Sequence, residues 1–135
     1  MSDVLKNKRR FGVMRLVDAT GYRLPLAGVV SILHRISGIL MFALLPFVLY
    51  LLDRSLQSDV SFAMLHIFAA QPIVKLILLV LVWSYLHHFC AGVRHLFMDF
   101  HFGLDKNSAR QSAVTVLVIS IGLTALVGLK LFGVF

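Results

Sequence analysis

The stretch Ser31-Ile32-Leu33-His34-Arg35-Ile36-Ser37-Gly38 sets a hydroxyl, an imidazole and a guanidinium at the mouth of a long apolar run. Ile36 through Leu52 is seventeen residues without a charge. Such a run reads as a helix in a membrane. An arginine at its edge must find water, a partner or a ligand, because hydrocarbon excludes it. On a helix, positions 31, 34, 35 and 38 share one face. Ser31, His34 and Arg35 therefore point the same way, and Gly38 leaves room beside them. That makes a polar pocket facing something other than lipid.

Composition agrees with a membrane chain. Its 135 residues are enough for one domain. Only 14% are charged and 59% are hydrophobic, with a mean hydropathy of +0.91. Soluble domains carry about 25% charged residues. Glutamate is absent, and the formal charge of +7 comes from 13 Lys and Arg against six Asp. A basic excess can mean nucleic acid. Here much of it falls in the first 26 residues, beside a membrane span, so topology explains it better. The lone cysteine, Cys90, sits in an apolar run and reads as a small buried hydrophobe.

Residues 1–26 hold Lys6, Lys8, Arg9, Arg10, Arg15 and Arg23 against Asp3 and Asp18, net +4. This is the expected cytoplasmic arm by the positive-inside rule. It does not match a secretory signal, because the following apolar segment is too long and lacks a small-residue cleavage site. A bacterial inner-membrane protein made without processing is expected. Pro25 suits the first turn of the next helix. The expected transmembrane domain covers residues 27–135, with spans at about 27–52, 73–100 and 112–133. Pro46 should kink the first span. In the connector, Phe62, Leu65, His66, Phe68 and Ala69 are spaced for an interfacial amphipathic helix. Lys75 can snorkel from the start of the second span. Leu76 to Val93 and Ser112 to Leu129 are uncharged runs of eighteen residues each. About 20 residues are needed to cross. The fold expected is an all-α membrane protein of three spans, with its N-terminus inside and its C-terminus outside.

A second cluster lies on the second span: His88-Phe89-Cys90-Ala91-Gly92-Val93-Arg94-His95-Leu96-Phe97-Met98-Asp99. Ser84, His88, Gly92, His95 and Asp99 form one helical stripe. A histidine in mid-membrane is a functional candidate by default. A neutral imidazole binds haem iron well. Gly92, one turn from His88, removes a side chain where a flat porphyrin would approach. Arg35, Arg94 and His95 lie toward the basic end, where anionic propionates would sit. By spacing alone His88 is either an iron ligand or an interhelical hydrogen-bonding group. His87 points about 100° away and reads as a core or interfacial hydrogen bonder. His66 and His101 read as interfacial, and Met41, Met64 and Met98 as packing. Ser120, Thr124 and Gly128 read as a small-residue packing face of the third span. For Ser31, His34 and Arg35 the plainer alternative is a buried polar network that pins helix packing.

Taken together, the two segments resemble a known family. Ser31-x-x-His34-Arg35-x-Ser37 is similar to the first motif of the cytochrome b subunit of succinate dehydrogenase, the larger membrane anchor of complex II. His88-x-x-x-Gly92-Val93-Arg94-His95-x-x-x-Asp99 is similar to its second motif. Order, spacing and three-span plan agree over essentially the whole chain. The chain departs in its N-terminal arm: Arg10-Phe11 and Arg23-Leu24-Pro25 stand where the family often has Arg-Pro.

The resemblance implies a succinate:quinone oxidoreductase subunit that forms half of a heterodimeric anchor bundle. It implies His88 as axial ligand of a haem b, with the second ligand from a partner anchor. It implies His34, Arg35 and His95 near the propionates, and Ser31 and Arg35 at the ubiquinone site. Ser37, Gly92, Arg94 and Asp99 are implied as supporting motif positions. An iron–sulfur subunit and a flavoprotein subunit are implied as partners. The chain has no nucleotide fingerprint and too few cysteines for an iron–sulfur cluster, so it cannot oxidise succinate alone. A quinol:fumarate reductase anchor, or a structural anchor without haem, remains the alternative. A proton or ion transporter fits less well, because Asp53 and Asp99 lie at span ends and no carboxylate lies in mid-span.

Overall fold

The computed structural model of the chain describes Gly21 and residues 24–134. The basic arm expected over residues 1–26, apart from Gly21 and residues 24–26, lies outside the described residues. Four helices and no strand occur among the described residues: α1 (Leu26–Gln57), α2 (Asp59–Ala69), α3 (Pro72–Asp99) and α4 (Lys106–Leu131). Three of them, α1, α3 and α4, are long and apolar enough to cross a membrane. Even the shortest, with 26 residues, extends about 39 Å at a rise of 1.5 Å per residue, more than the hydrocarbon thickness of about 30 Å.

Local chemistry sets the helix ends. Pro25 is the N-cap of α1, one residue outside the helix. Past Leu52, α1 runs on through a polar turn in which Gln57 Nε2 donates to Asp53 Oδ2 (2.8 Å) and Arg54 donates to Gln57 Oε1 (3.2 Å). Pro46 sits inside this helix. Ser58 caps α2 by accepting from the Ser61 N–H at 3.1 Å. Pro72 is placed in the first turn of α3, where its missing N–H costs nothing. At the other end of α3, His101 takes a left-handed φ of 63°. Phe102 N–H then reaches back to the Phe97 carbonyl at 3.1 Å, closing a Schellman-type cap. Asp105 caps α4 by accepting from the Ser108 N–H at 3.0 Å. That hydrogen bond, with a further one from the Ser108 side chain, holds the Asp105 carboxyl below its usual range.

α3 packs between α1 and α4, and α2 folds back beside the end of α1. The helices meet on small groups: Val30, Ala91, Ala113 and Val116 form the buried apolar cluster. Gly128 is buried against Leu79, whose Cδ1 would stand 3.3 Å from an added Cβ. Small residues of this kind let membrane helices approach closely. Polarity is inverted relative to a soluble bundle. Ser37, Ser84, His87 and Ser120 are fully buried, whereas Phe42 is 80% and Ile39 68% exposed. Outward aromatic and aliphatic groups with inward hydroxyls and imidazoles suit a lipid surround.

Candidate functional site

The two sequence clusters meet at one end of the bundle. Ser31, His34 and Ser37 occupy the first turns of α1, and His88, Gly92 and His95 the last turns of α3. The His34 and His88 rings stack with centroids 4.0 Å apart and planes at 17°. His95 completes the group, its ring 5.1 Å from that of His34 and tilted by 55°. Although three imidazoles lie close, no three His, Cys, Asp or Glu side chains among the described residues are placed to hold a metal ion together. The stack is therefore not a closed metal centre.

His88 is oriented from behind. Its Nδ1 lies 3.0 Å from the main-chain carbonyl of His34 and 3.3 Å from Ser37 Oγ. A carbonyl only accepts, so Nδ1 carries the proton and donates. Ser37 Oγ donates to the same carbonyl at 2.8 Å, a bond three residues back along the helix of the kind serine makes readily. Nε2 of His88 is left as a lone-pair nitrogen with no hydrogen-bond partner among the described residues. Gly38 makes the approach possible. A Cβ there would stand 3.0 Å from His88 Cε1 and 3.3 Å from Nδ1. At Gly92 a Cβ would meet only His34 Nε2, at 3.7 Å, an ordinary contact. The tight glycine of this packing is thus Gly38 rather than Gly92.

Other sequence candidates separate into two groups. Ser31 is half-buried and Arg35 is exposed, one turn apart on α1. Neither side chain has a hydrogen-bond partner among the described residues. Asp99 is exposed at the last residue of α3. Arg94 belongs elsewhere. It is only 6% exposed, and its Nε donates to Ser112 Oγ at 3.0 Å while Nη2 reaches the Ala109 carbonyl at 3.4 Å. Arg94 therefore pins α3 to α4.

His87 is a core residue. It is fully buried, stacked near Trp83 at 5.4 Å, with its Nδ1 3.3 Å from Ser120 Oγ on α4. Ser120 Oγ also lies 3.3 Å from the Leu117 carbonyl, so its hydroxyl joins His87 to the backbone of α4. Nε2 of His87 and Oγ of Ser84 are buried without a partner among the described residues. The residue that sequence reasoning undervalued is Ser37. Its position three residues after His34 was a signal for the carbonyl bond, but its reach to His88 depends on how α1 and α3 pack.

Comparisons with known proteins show the family. The family model described as "Succinate dehydrogenase/Fumarate reductase transmembrane subunit" matches residues 16–127, a segment that contains both motifs. The succinate dehydrogenase cytochrome b556 subunit of Coxiella burnetii is 38% identical over 105 residues, covering 77% of this chain and 84% of that one. Its namesake in Paracoccus denitrificans is 33% identical over 105 residues, covering 78% and 81%. That of Rickettsia prowazekii is 32% identical over 107 residues, covering 79% and 83%. The chain belongs to the family of succinate dehydrogenase and fumarate reductase transmembrane subunits, the membrane part of an oxidoreductase complex.

Proposed function

We propose that the chain anchors succinate dehydrogenase in the bacterial inner membrane, holds haem b jointly with a second anchor subunit, and forms part of the site where ubiquinone is reduced. The observation that carries this reading is the fixed tautomer of His88. An imidazole whose Nδ1–H is held by a carbonyl presents Nε2 as a ligand, which is the usual arrangement behind a metal-binding histidine. The donor fits a b-type haem: the His88 imidazole would hold the iron from this chain, and the partner anchor would supply the second ligand. A haem b held there supplies one-electron redox chemistry.

The remaining roles follow from charge and place. His34, Arg35 and His95 would hold the propionates of that group, since their N–H donors suit carboxylates. Ser31 and Arg35 are the quinone residues. A quinone under reduction develops negative charge on its oxygens, and a guanidinium and a hydroxyl stabilise that charge best where water is scarce. Ser31 can also donate a hydrogen bond or relay a proton from the cytoplasmic side, where the N-terminus lies. Ser37 and Gly38 hold the His88 ring, Arg94 locks α3 to α4, and Gly92 and Asp99 support. Electrons arrive from an iron–sulfur subunit, itself supplied by a flavoprotein subunit. The family description also names fumarate reductase, and the same residues serve that reaction in reverse.

The test is a reduced-minus-oxidised visible spectrum of the complex purified through this chain, beside His88→Ala. A b-type α-band present in the first and absent in the second is expected. A band of full strength in His88→Ala, in an assembled complex, overturns the ligand assignment. No band in the unmutated complex leaves a quinone-binding anchor without haem.

A further inference from the structure

At the end of the bundle opposite the histidine cluster, a second cationic site lies between α2, α3 and α4. Lys75 stands in the first turn of α3, Lys130 in the last turn of α4, and His66 in the last turn of α2. All three line one cavity of about 500 Å³, with Ala69, Val127 and Leu131 as its apolar walls. No carboxylate is among the described residues that line it. Lys75 Nζ lies 5.5 Å from the Phe132 ring centroid, so its head is placed over an aromatic face.

Topology does not account for these lysines. The bias that gathers Lys and Arg on one side of a membrane explains the basic segment entering α1. Lys75 and Lys130 lie at the other ends of the spans. Each stands in the terminal turn of its span, from which a long cationic side chain can reach the headgroup layer. Two lysines converging there, over an apolar-walled cavity open to the surround, complement one kind of group: a phosphate whose substituents run into hydrocarbon.

We propose that this cavity binds an anionic phospholipid of the leaflet at that end, with Lys75 and Lys130 on the phosphate and the acyl chains along Val127 and Leu131. His66 closes the third side. The site joins the end of α2 to the two spans that carry the lysines, so the lipid fastens the interfacial helix to the bundle. This inference is independent of haem and quinone.

The experiment uses the assembled complex, purified through this chain in a nonionic detergent and stripped of lipid. Phosphatidylglycerol and phosphatidylcholine are titrated in turn, and bound lipid is counted by native mass spectrometry. A lysine near the surface adds about 1 kcal/mol of attraction, about fivefold. The K75Q/K130Q complex is therefore expected to bind phosphatidylglycerol roughly 25-fold more weakly than the unmutated one, and K75R/K130R to retain binding. Equal binding of the two lipids, or of the unmutated and Gln-substituted complexes, overturns the proposal. So does competition by free glycerol phosphate at the concentration at which phosphatidylglycerol binds, because the site would then take a soluble phosphate. A carboxylate of a partner subunit filling the cavity would leave phosphatidylglycerol at background, which overturns it as well. Should K75Q/K130Q fail to assemble, salt decides on the unmutated complex. Release of phosphatidylglycerol at high ionic strength supports the lysine contacts, and indifference to salt overturns them.

Discussion

The Nδ1 of His88, on α3, lies 3.0 Å from the main-chain carbonyl of His34, on α1. A backbone atom of one motif thus sets the tautomer of the central side chain of the other. The link cannot be removed by changing the His34 side chain, which stacks on the His88 ring at 4.0 Å instead. Ser37 Oγ supplies the second contact to Nδ1 at 3.3 Å. Ser37→Ala removes that contact and leaves the carbonyl. Loss of a hydrogen bond behind a metal ligand costs about 10- to 100-fold in affinity. With one partner retained, a weakening of haem retention near tenfold is expected, measured as haem per complex after dilution. Haem loss as complete as in His88→Ala would mean that Ser37, not the carbonyl, orients the ring.

Gly38→Ala tests the packing of the same ring. The added Cβ would stand 3.0 Å from His88 Cε1, closer than atoms rest, so the imidazole must shift by a few tenths of an ångström. Alanine is otherwise the better helix former by about 1 kcal/mol. The bundle should therefore hold or gain thermal stability while the haem content falls and its α-band moves. An unchanged spectrum would show that the ring gives way without consequence.

Much of this was legible in the residues, for reasons that also mark where legibility ends. Uncharged runs of seventeen and eighteen residues announce spans. They do not announce where a helix starts, because hydropathy reports the part in lipid. α4 begins at Lys106 rather than near Ser112, since the Asp105 cap and a polar first turn lie outside the run. Helical arithmetic separates His87 from His88, and it also turns Arg94 away: six residues on from His88 is about 240° around the helix. The partners were not legible. Ser112 for Arg94 and Ser120 for His87 lie on α4, and which serine meets which side chain of α3 depends on the relative height of two helices. Half-buried Ser31 and exposed Arg35 were read from motif and spacing alone.

Arg35→Ala addresses the quinone role. If the guanidinium stabilises charge on the quinone oxygens, its loss should lower quinone reduction by about 10²- to 10³-fold, as for other groups of this kind. Succinate oxidation with a soluble dye acceptor, which bypasses the membrane site, should stay within about twofold, since no transition-state contact is lost there. Arg35→Lys keeps the charge but not the forked geometry, and should fall between. Loss of both activities together in an assembled complex would place Arg35 in assembly.

The cap of α4 gives a pH dependence. Asp105 accepts from Ser108 N–H, and hydrogen bonding holds its carboxyl below the usual range. A depressed folded value means that the carboxylate's contribution is fully present above the unfolded value, about 3.9, and is lost as pH falls through the folded one. Asp105→Ala should therefore lower thermal stability slightly at neutral pH. The difference from the unmutated chain should close only in acid, below about pH 4. A difference that closes between about pH 5 and 7 would point to a histidine instead.

The buried pair His87 and Ser120 makes a prediction whose sign is not the obvious one. Ser120→Ala leaves Nδ1 of His87 without its partner, 3.3 Å away, in a residue whose Nε2 is already buried and unpaired among the described residues. An interhelical hydrogen bond in a membrane protein averages about 0.6 kcal/mol, but an orphaned buried polar atom costs about 1–3 kcal/mol. The single change should therefore cost more than the bond itself. His87→Leu removes both ring nitrogens together and keeps most of the volume, so it should be the milder substitution. In Ser120→Ala/His87→Leu the orphan is gone, and the pair should be more stable than Ser120→Ala alone. Thermal inactivation of the assembled complex, followed with the soluble dye acceptor, reads all three. A double variant less stable than Ser120→Ala would mean that His87 has a partner through Nε2, such as an ordered water shared with the equally unpaired Ser84 hydroxyl.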